Sequence, residues 1–211
     1  MIKAWILDVS PLYCIEKYNE VYNTLPYFRR LKADNIKSAE NKAQSAGVWF
    51  LLQHIRDKYN ISEKAVFNLS HTGKYAVCAI DTDENENTKV GVDAEEIHHV
   101  PLKLAKRFYC DSEYEHVVNI KEDKKENELI RIWVLKESFM KAVRKGMALD
   151  TRAFEFNLDG EAYLEKQPDE YREKYYFKEY NLEELKVRAA VCSTDSNISP
   201  DIDISLIDLL K

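Results

Sequence analysis

The chain has no C-x-x-C pair; its four cysteines, Cys14, Cys78, Cys110 and Cys192, are scattered over 211 residues. That spacing argues against a disulfide framework and reads as reduced thiols, three of them in or beside apolar segments where a small buried side chain fits. Nor does any run approach the roughly 18 apolar residues that a membrane span needs. The opening Met1–Asp8 is too short and too soon charged for a signal peptide, so a cytoplasmic location is expected. An excess of positive charge is also missing: 31 Lys and Arg against 37 Asp and Glu leave a net −6, which disfavours general nucleic-acid binding. What is present is ordinary for a folded soluble protein, 45% apolar and 32% charged residues, enough for one large domain or two modest ones.

Ala4–Val9 reads as an opening strand stopped by Ser10-Pro11, and Tyr13–Asn23 as a short helix broken at Thr24-Leu25-Pro26. Arg29-Arg30-Leu31-Lys32 is a compact basic group. Ala39–Tyr59 carries a helical stripe of Ala43, Ala46, Gly47, Phe50, Leu51, His54 and Ile55. Three strand-like runs follow, Ala65–Ser70, Tyr75–Ile80 and Lys89–Glu95, joined by short polar links that predict an antiparallel meander. Leu102–Tyr109 and the stretch opened by Ser112 read as helices, and Ile120–Asn127 as a solvated loop. Leu129–Lys145 has a strong stripe (Ile132, Leu135, Phe139, Ala142, Val143) and stops at Gly146. Ala153–Leu158, Tyr175–Tyr180 and Val187–Cys192 read as strands, and the acidic tail after Ser199 as peripheral.

A long helix then three strands, followed by helices then three strands, predicts an α+β fold of two similar halves, residues 1–98 and 99–211. Each half is a long helix packed on a small antiparallel sheet. The only internal echo at residue level is between Lys74-Tyr75-Ala76-Val77-Cys78 and Val187–Cys192.

Two segments carry chemistry. In the strand Gly91-Val92-Asp93-Ala94-Glu95 the two acids share a face, and in the helix Trp133–Lys141 Glu137 lies one turn from Lys141. Three carboxylates and an amine from two elements suit Mg²⁺ holding a phosphate ester, since this cation takes oxygen ligands from one or two carboxylates plus substrate phosphates. Taken alone, acids on a strand such as Asp93 and Glu95 are more often a solvated surface feature, and Glu137 with Lys141 can equally be a surface helix pair. The alternation with Val90, Val92 and Ala94, and the neighbours Trp133, Phe139 and Met140, oppose a fully wet face. Ser70, His71 and Thr72 precede a glycine turn whose hydroxyls and backbone N–H groups can cradle a phosphate, although a lone histidine more often only makes structural hydrogen bonds. Arg29, Arg30 and Lys32 are either a solubilising cluster or phosphate binders.

Phe67-Asn68-Leu69-Ser70-His71-Thr72-Gly73-Lys74, Val90-Gly91-Val92-Asp93-Ala94-Glu95 and Trp133-Val134-Leu135-Lys136-Glu137-Ser138-Phe139-Met140-Lys141 resemble, in order, the motifs of 4′-phosphopantetheinyl transferases. Arg107–Tyr114 is similar to the family's segment between the second and third motifs, and Lys145–Leu149 to its usual sequel. The likeness runs from about Ala39 to Cys192. Length and layout are similar to the surfactin-synthetase-activating type, whose single chain is a pseudo-dimer of α+β halves and which is expected to be monomeric.

The resemblance implies transfer of the phosphopantetheine arm of coenzyme A to a serine of an acyl or peptidyl carrier protein. It implies Asp93, Glu95 and Glu137 as Mg²⁺ ligands, Glu137 as base toward the serine, directly or through water, and Lys141 as neutraliser of the departing phosphate. His71 would contact a coenzyme A phosphate and Lys136 would assist near the pyrophosphate. Two departures bear on the coenzyme. Gln44 stands where the family has an arginine, which shifts the 3′-phosphate to Arg29, Lys32 or Lys42. A Gly-Lys-Pro stretch before the histidine motif is replaced by Asn60–Lys64, so altered coenzyme A binding is expected with the chemistry retained. Rival readings are a metal-dependent nuclease, disfavoured by acidity, and a coenzyme A or carrier-binding protein with little turnover. Lys103, Lys106, Arg107, Lys121, Lys124 and Lys125, with Tyr109 and Tyr114, are the expected surface for an acidic carrier.

Overall fold

In a computed structural model that describes residues 1–211, β1 (Ile2–Asp8) leads through α1 (Ile15–Thr24) and α2 (Tyr27–Asp34) to the long α3 (Ala39–Tyr59), then to β2 (Phe67–Thr72) and β3 (Tyr75–Asp81). A second run starts at β4 (Val90–Glu96) and passes through α4 (Leu102–Phe108), α5 (Asp111–Asn119) and the long α6 (Glu122–Ala142). A small hairpin, β5 (Glu155–Asn157) and β6 (Tyr163–Lys166), then precedes β7 (Tyr176–Leu182) and β8 (Val187–Ser193). The main strands form two antiparallel sheets, β1-β3-β2 and β4-β8-β7. Each half therefore runs strand, long helix, strand, strand, with its last strand central. The expected α+β pseudo-dimer is what the chain forms.

Alternation along the strands builds four layers. Trp5, Leu7, Ala76, Cys78 and Ile80 face α3 and close one core with its Leu51, Leu52 and Ile55. The opposite faces of the two sheets meet in a second core, Ile2, Ala4, Ile6, Val77 and Ala79 against Val90, Val92, Ala94, Ala189 and Val191. Ala190 and Cys192 face α6 and close a third with Leu135, Phe139 and Met140. Helix ends follow local chemistry: Ser38 caps α3 through the Asn41 amide, and Asn60, left-handed at φ 51°, ends it.

Several expectations need correction. The meander does not form, because β4 leaves β3 and pairs with β8 instead. Its other edge is met by side chains of β2: Asn68 Oδ1 accepts the Val92 amide at 3.0 Å and Thr72 Oγ1 the Glu96 amide at 2.9 Å. The first strand of the second sheet thus precedes the expected boundary at residue 98, and we propose the division between halves just ahead of Val90. Residues 122–127 are the first turns of α6 rather than a loop; they lack apolar periodicity because they stand largely in solvent, and Glu122 and Asp123 complement the helix dipole. Nor is the C-terminal tail peripheral. Ser199, Asp203 and their neighbours hydrogen-bond along the open edge of β1, and Ile202, Leu206 and Leu210 are buried in the cores. That strap covers an edge that would otherwise pair with other chains. No helix is long and apolar enough to cross a membrane.

Helix α6 lies unusually close to β4. A Cβ added at Gly91 would stand 2.0 Å from the Ser138 carbonyl oxygen and 2.4 Å from the Ala142 nitrogen, both backbone atoms that cannot rotate away. Gly91→Ala is expected to push the helix off the strand and cost about 1–3 kcal/mol of stability, the usual penalty of overpacking. A lower thermal midpoint with less burial at Glu137 is the outcome to look for; an unchanged midpoint would refute the close approach.

Candidate active site

The odd-numbered residues of β4 point at α6, so Asp93 and Glu95 extend the row that Gly91 opens, while Glu137 and Lys141 come down from the helix. Lys141 Nζ lies 2.6 Å from Asp93 Oδ1, and Ser70 Oγ donates to the same oxygen at 2.8 Å. Lys141 also donates to Ser70 Oγ at 2.8 Å, which closes a triangle drawn from β2, β4 and α6. The site therefore sits where the two halves join, a common place for a ligand pocket.

Glu95 and Glu137 are both held above the usual carboxylate range. Burial is the largest cause for each, and the negative charge of Asp93 adds to it. Asp93 is thus the hub, ion-paired to Lys141 and electrostatically coupled to both glutamates. His71, next to Ser70, has its imidazole pushed below its ordinary value by burial and then by the charges of Lys141 and Lys32. Burial and the nearby lysines thus favour the neutral imidazole, which offers a hydrogen bond rather than a fixed charge. Gln44 also reaches this region: its amide donates to the Gly73 carbonyl at 2.6 Å, tying α3 to the turn between β2 and β3.

The carboxylate oxygens that all fall within 4.8 Å of one another belong to Asp81, Asp83 and Asp195, away from Asp93. Around Asp93 the acids are adjacent without converging into a finished ligand shell. Their chemistry still fits a divalent cation, with three oxygen donors, two of them raised in proton affinity by burial and by the neighbouring charge of Asp93, which a cation would offset.

Lys136 requires correction. One residue from Glu137, it turns inward and is fully buried, with Nζ 2.9 Å from Glu113 and bonded to the Thr151 and Phe154 carbonyls. Glu113 in turn accepts the Cys110 and Phe156 amides. Breaking a buried pair costs about 3–5 kcal/mol, so Lys136 does not swing out to a phosphate. Arg29 donates to the Ser45 carbonyl at 2.8 Å and lies over the Trp49 ring. Lys42 sits half-buried in the first turn of α3. Tyr109 is buried with its hydroxyl on the Leu129 carbonyl and is no surface contact.

Two cavities flank the acids, and the sequence reading missed most of their lining. One, of about 240 Å³, is apolar and runs from Glu95 to Val100, Leu104, Phe108 and Trp133. The other, of about 630 Å³, is lined by Lys64, Asn68, Lys141 and Arg144. Trp133, Glu137 and Lys141 are spaced four apart, so one face of α6 passes from the apolar cavity through the acid to the cationic cavity. That spacing was the available signal.

Residues 89–193 match the family profile of the 4′-phosphopantetheinyl transferase superfamily. The chain is 31% identical to the 4′-phosphopantetheinyl transferase Sfp of Bacillus subtilis over 65% of its own length and 59% of that relative's. It is 27% identical to another Bacillus subtilis 4′-phosphopantetheinyl transferase over 90% of this chain and 84% of the relative. A solved Thermotoga maritima holo-[acyl-carrier-protein] synthase overlaps 50% of this chain and 61% of its own, with TM-score 0.43 and 23% identity.

A raised acid destabilises the fold as it ionises, because the native state then binds more protons than the unfolded chain just above the ordinary carboxylate range. Stability should fall as pH rises through that window. Glu95→Gln and Glu137→Gln should each raise the melting temperature at pH 7 and flatten this dependence. Thermal melts from pH 4 to pH 8 measure it, and a loss of stability in both variants would contradict the assigned burial.

Proposed function

This chain belongs to the 4′-phosphopantetheinyl transferase superfamily, and from that premise we propose that it transfers the phosphopantetheine arm of coenzyme A to a serine of an acyl or peptidyl carrier protein. The observation that carries this reading is the order of surfaces along α6, apolar at Trp133, acidic at Glu137 and cationic at Lys141. Coenzyme A has the same order: a weakly polar thiol arm, a pyrophosphate and a phosphorylated adenosine.

In this alignment the arm enters the cavity lined by Leu104, Phe108 and Trp133, and the pyrophosphate lies across Asp93, Glu137 and Lys141. Glu137 takes the proton of the carrier serine, directly or through water, as the serine oxygen attacks the phosphorus that bears the arm. The raised proton affinity of Glu137 makes it a stronger base for this step than an ordinary carboxylate. The bond between that phosphorus and the bridging oxygen breaks, and adenosine 3′,5′-bisphosphate leaves with the bridging oxygen. Lys141 moves its ammonium from Asp93 to the leaving phosphate, and Ser70, bonded to both, holds it within reach. A Mg²⁺ ion held by Asp93, Glu95 and Glu137 would supply charge neutralisation at the pyrophosphate. His71 donates a hydrogen bond to a phosphate oxygen.

The carrier docks on α4 in this reading. Leu102 and Leu104 are 36% and 44% exposed there beside Lys103, Lys106 and Arg107, at the mouth of the apolar cavity. Lys125 is paired with Glu122 and contributes less.

Mixing the protein with an apo carrier, coenzyme A and Mg²⁺ should give phosphopantetheine addition at a serine by mass spectrometry. Glu137→Gln should slow it by about 10²–10⁴-fold, the range of a lost general base. An unmodified carrier across acyl and peptidyl types would overturn the reading. Lys106→Glu with Arg107→Glu should raise the carrier KM several-fold and leave the KM for coenzyme A in place. An unchanged carrier KM would remove α4 from the docking surface.

A further inference from the structure

Toward β4, the strand β2 works through side chains. Asn68, Ser70 and Thr72 lie on one of its faces, and His71 lies on the other. Asn68 Oδ1 accepts the Val92 amide at 3.0 Å, Ser70 Oγ donates to Asp93 Oδ1 at 2.8 Å, and Thr72 Oγ1 accepts the Glu96 amide at 2.9 Å. Ser70 and Thr72 are each 6% exposed, so each hydroxyl proton needs an acceptor inside the protein. The sequence offers the Thr72 hydroxyl to a phosphate together with His71, but the two side chains leave the strand in opposite directions.

A hydroxyl that accepts from a fixed donor has its own proton turned toward another acceptor. At Ser70 the donor is the Lys141 ammonium at 2.8 Å, and the proton goes to Asp93. At Thr72 the donor is the Glu96 amide, and Glu95 receives the proton's influence. Burial raises the proton affinity of Glu95 most and Asp93 adds to it, while the Thr72 hydroxyl acts the other way, as a hydrogen bond to a carboxylate does. Two hydroxyls, two residues apart on β2, therefore serve two acids that are two residues apart on β4. Ser70 has its task beside Lys141. Thr72 has none among the steps of the transfer.

We infer that Thr72 is a positioning residue, whose hydroxyl, held by the Glu96 amide, keeps the Glu95 carboxylate in place for a divalent cation. This rests on the proposed transfer reaction, which assigns Mg²⁺ to Asp93, Glu95 and Glu137, and adds the group that stands behind one of those ligands. Thr72 touches neither the substrate nor the reacting atoms. Groups that hydrogen-bond a ligating side chain fix its orientation, and their loss costs about 10–100-fold in metal affinity. The effect of Thr72 thus falls on the metal and not on the nucleotide.

Mn²⁺ binding to the full chain in the presence of coenzyme A, followed by the electron-spin-resonance signal of the free ion, tests the assignment. Thr72→Val should weaken Mn²⁺ about tenfold or more, and Thr72→Ser, which keeps the hydroxyl, should stay within twofold of wild type. In a Glu95→Gln background Thr72→Val should change Mn²⁺ affinity less than twofold, because the group it acts through is altered. Metal-free binding of adenosine 3′,5′-bisphosphate, read by calorimetry, should stay within twofold in Thr72→Val. Circular dichroism melts identify a variant that unfolds, and Thr72→Ala then replaces Thr72→Val. Unchanged Mn²⁺ affinity, or an equal loss in both backgrounds, with wild-type protein still modifying its carrier, would overturn the positioning role and leave the transferase reading intact. A tenfold loss of metal-free bisphosphate binding would make Thr72 a phosphate contact and overturn it as well. Wild-type protein that neither holds Mn²⁺ nor modifies any carrier would overturn both.

Discussion

The missing side chain at Gly91 sets how near α6 lies to β4, and every functional distance follows from it. With the helix backbone this close, a residue two along the strand and one near the end of the helix meet as Asp93 and Lys141, 2.6 Å apart. The same contact brings Glu137 into the field of Asp93 and shields it from solvent. Three clustered carboxylates would ordinarily push a strand and a helix apart. The ammonium of Lys141 and the hydroxyl of Ser70 offset part of that repulsion, and the remainder adds to the burial that raises the proton affinity of Glu95 and Glu137.

The pseudo-symmetry explains why there is one such site and not two. Cys78 and Cys192 are both fully buried and both face the long helix of their half. Setting one on the other places Trp5 on Gly91, since each lies opposite its cysteine, and Leu7 on Asp93, each opposite an alanine. In the first half these strand positions are large and apolar and fill a core with α3. The glycine there is on the helix, where Gly47 abuts Val9. The first half spends the helix–sheet interface on stability. The second opens it to polar groups and takes compensating rigidity from the Lys136–Glu113 pair and the aromatic cluster of Phe139, Phe154 and Tyr175.

What could be read from the sequence was whatever depends on local periodicity. Ala39–Tyr59 matches α3 residue for residue, and the facing of Asp93 with Glu95 and of Glu137 with Lys141 follows from strand and helix repeats. Partner choice was not legible. A run such as Val90–Glu96 announces a strand but not its neighbour, and here the neighbour lies about a hundred residues away although the link back to β3 is short enough for a hairpin. The charged start of α6 escaped because a fully solvated helical turn has no apolar stripe to show. The tail escaped for the opposite reason: its buried residues, Ile202, Leu206 and Leu210, are spaced four apart in a segment that is not helical. The flanking cavities draw residues from three and two separate stretches, and no single stretch of sequence encodes that convergence.

Lys136 and Glu137 show why a motif can be right as a whole and misleading in one member. Successive helical residues point about 100° apart, so one face of α6 cannot present both to a ligand. The lysine is committed to the interior, where it anchors the helix to the segment from Thr151 to Phe154 and to the start of α5 through Glu113. Fixed at that point, α6 can neither rotate nor slide, and the carboxyl group one residue on is held in the fields of Asp93 and Lys141. The two charges thus divide one task. Burial of the lysine fixes the helix, and the fixed helix keeps the glutamate in a place that water alone would not favour.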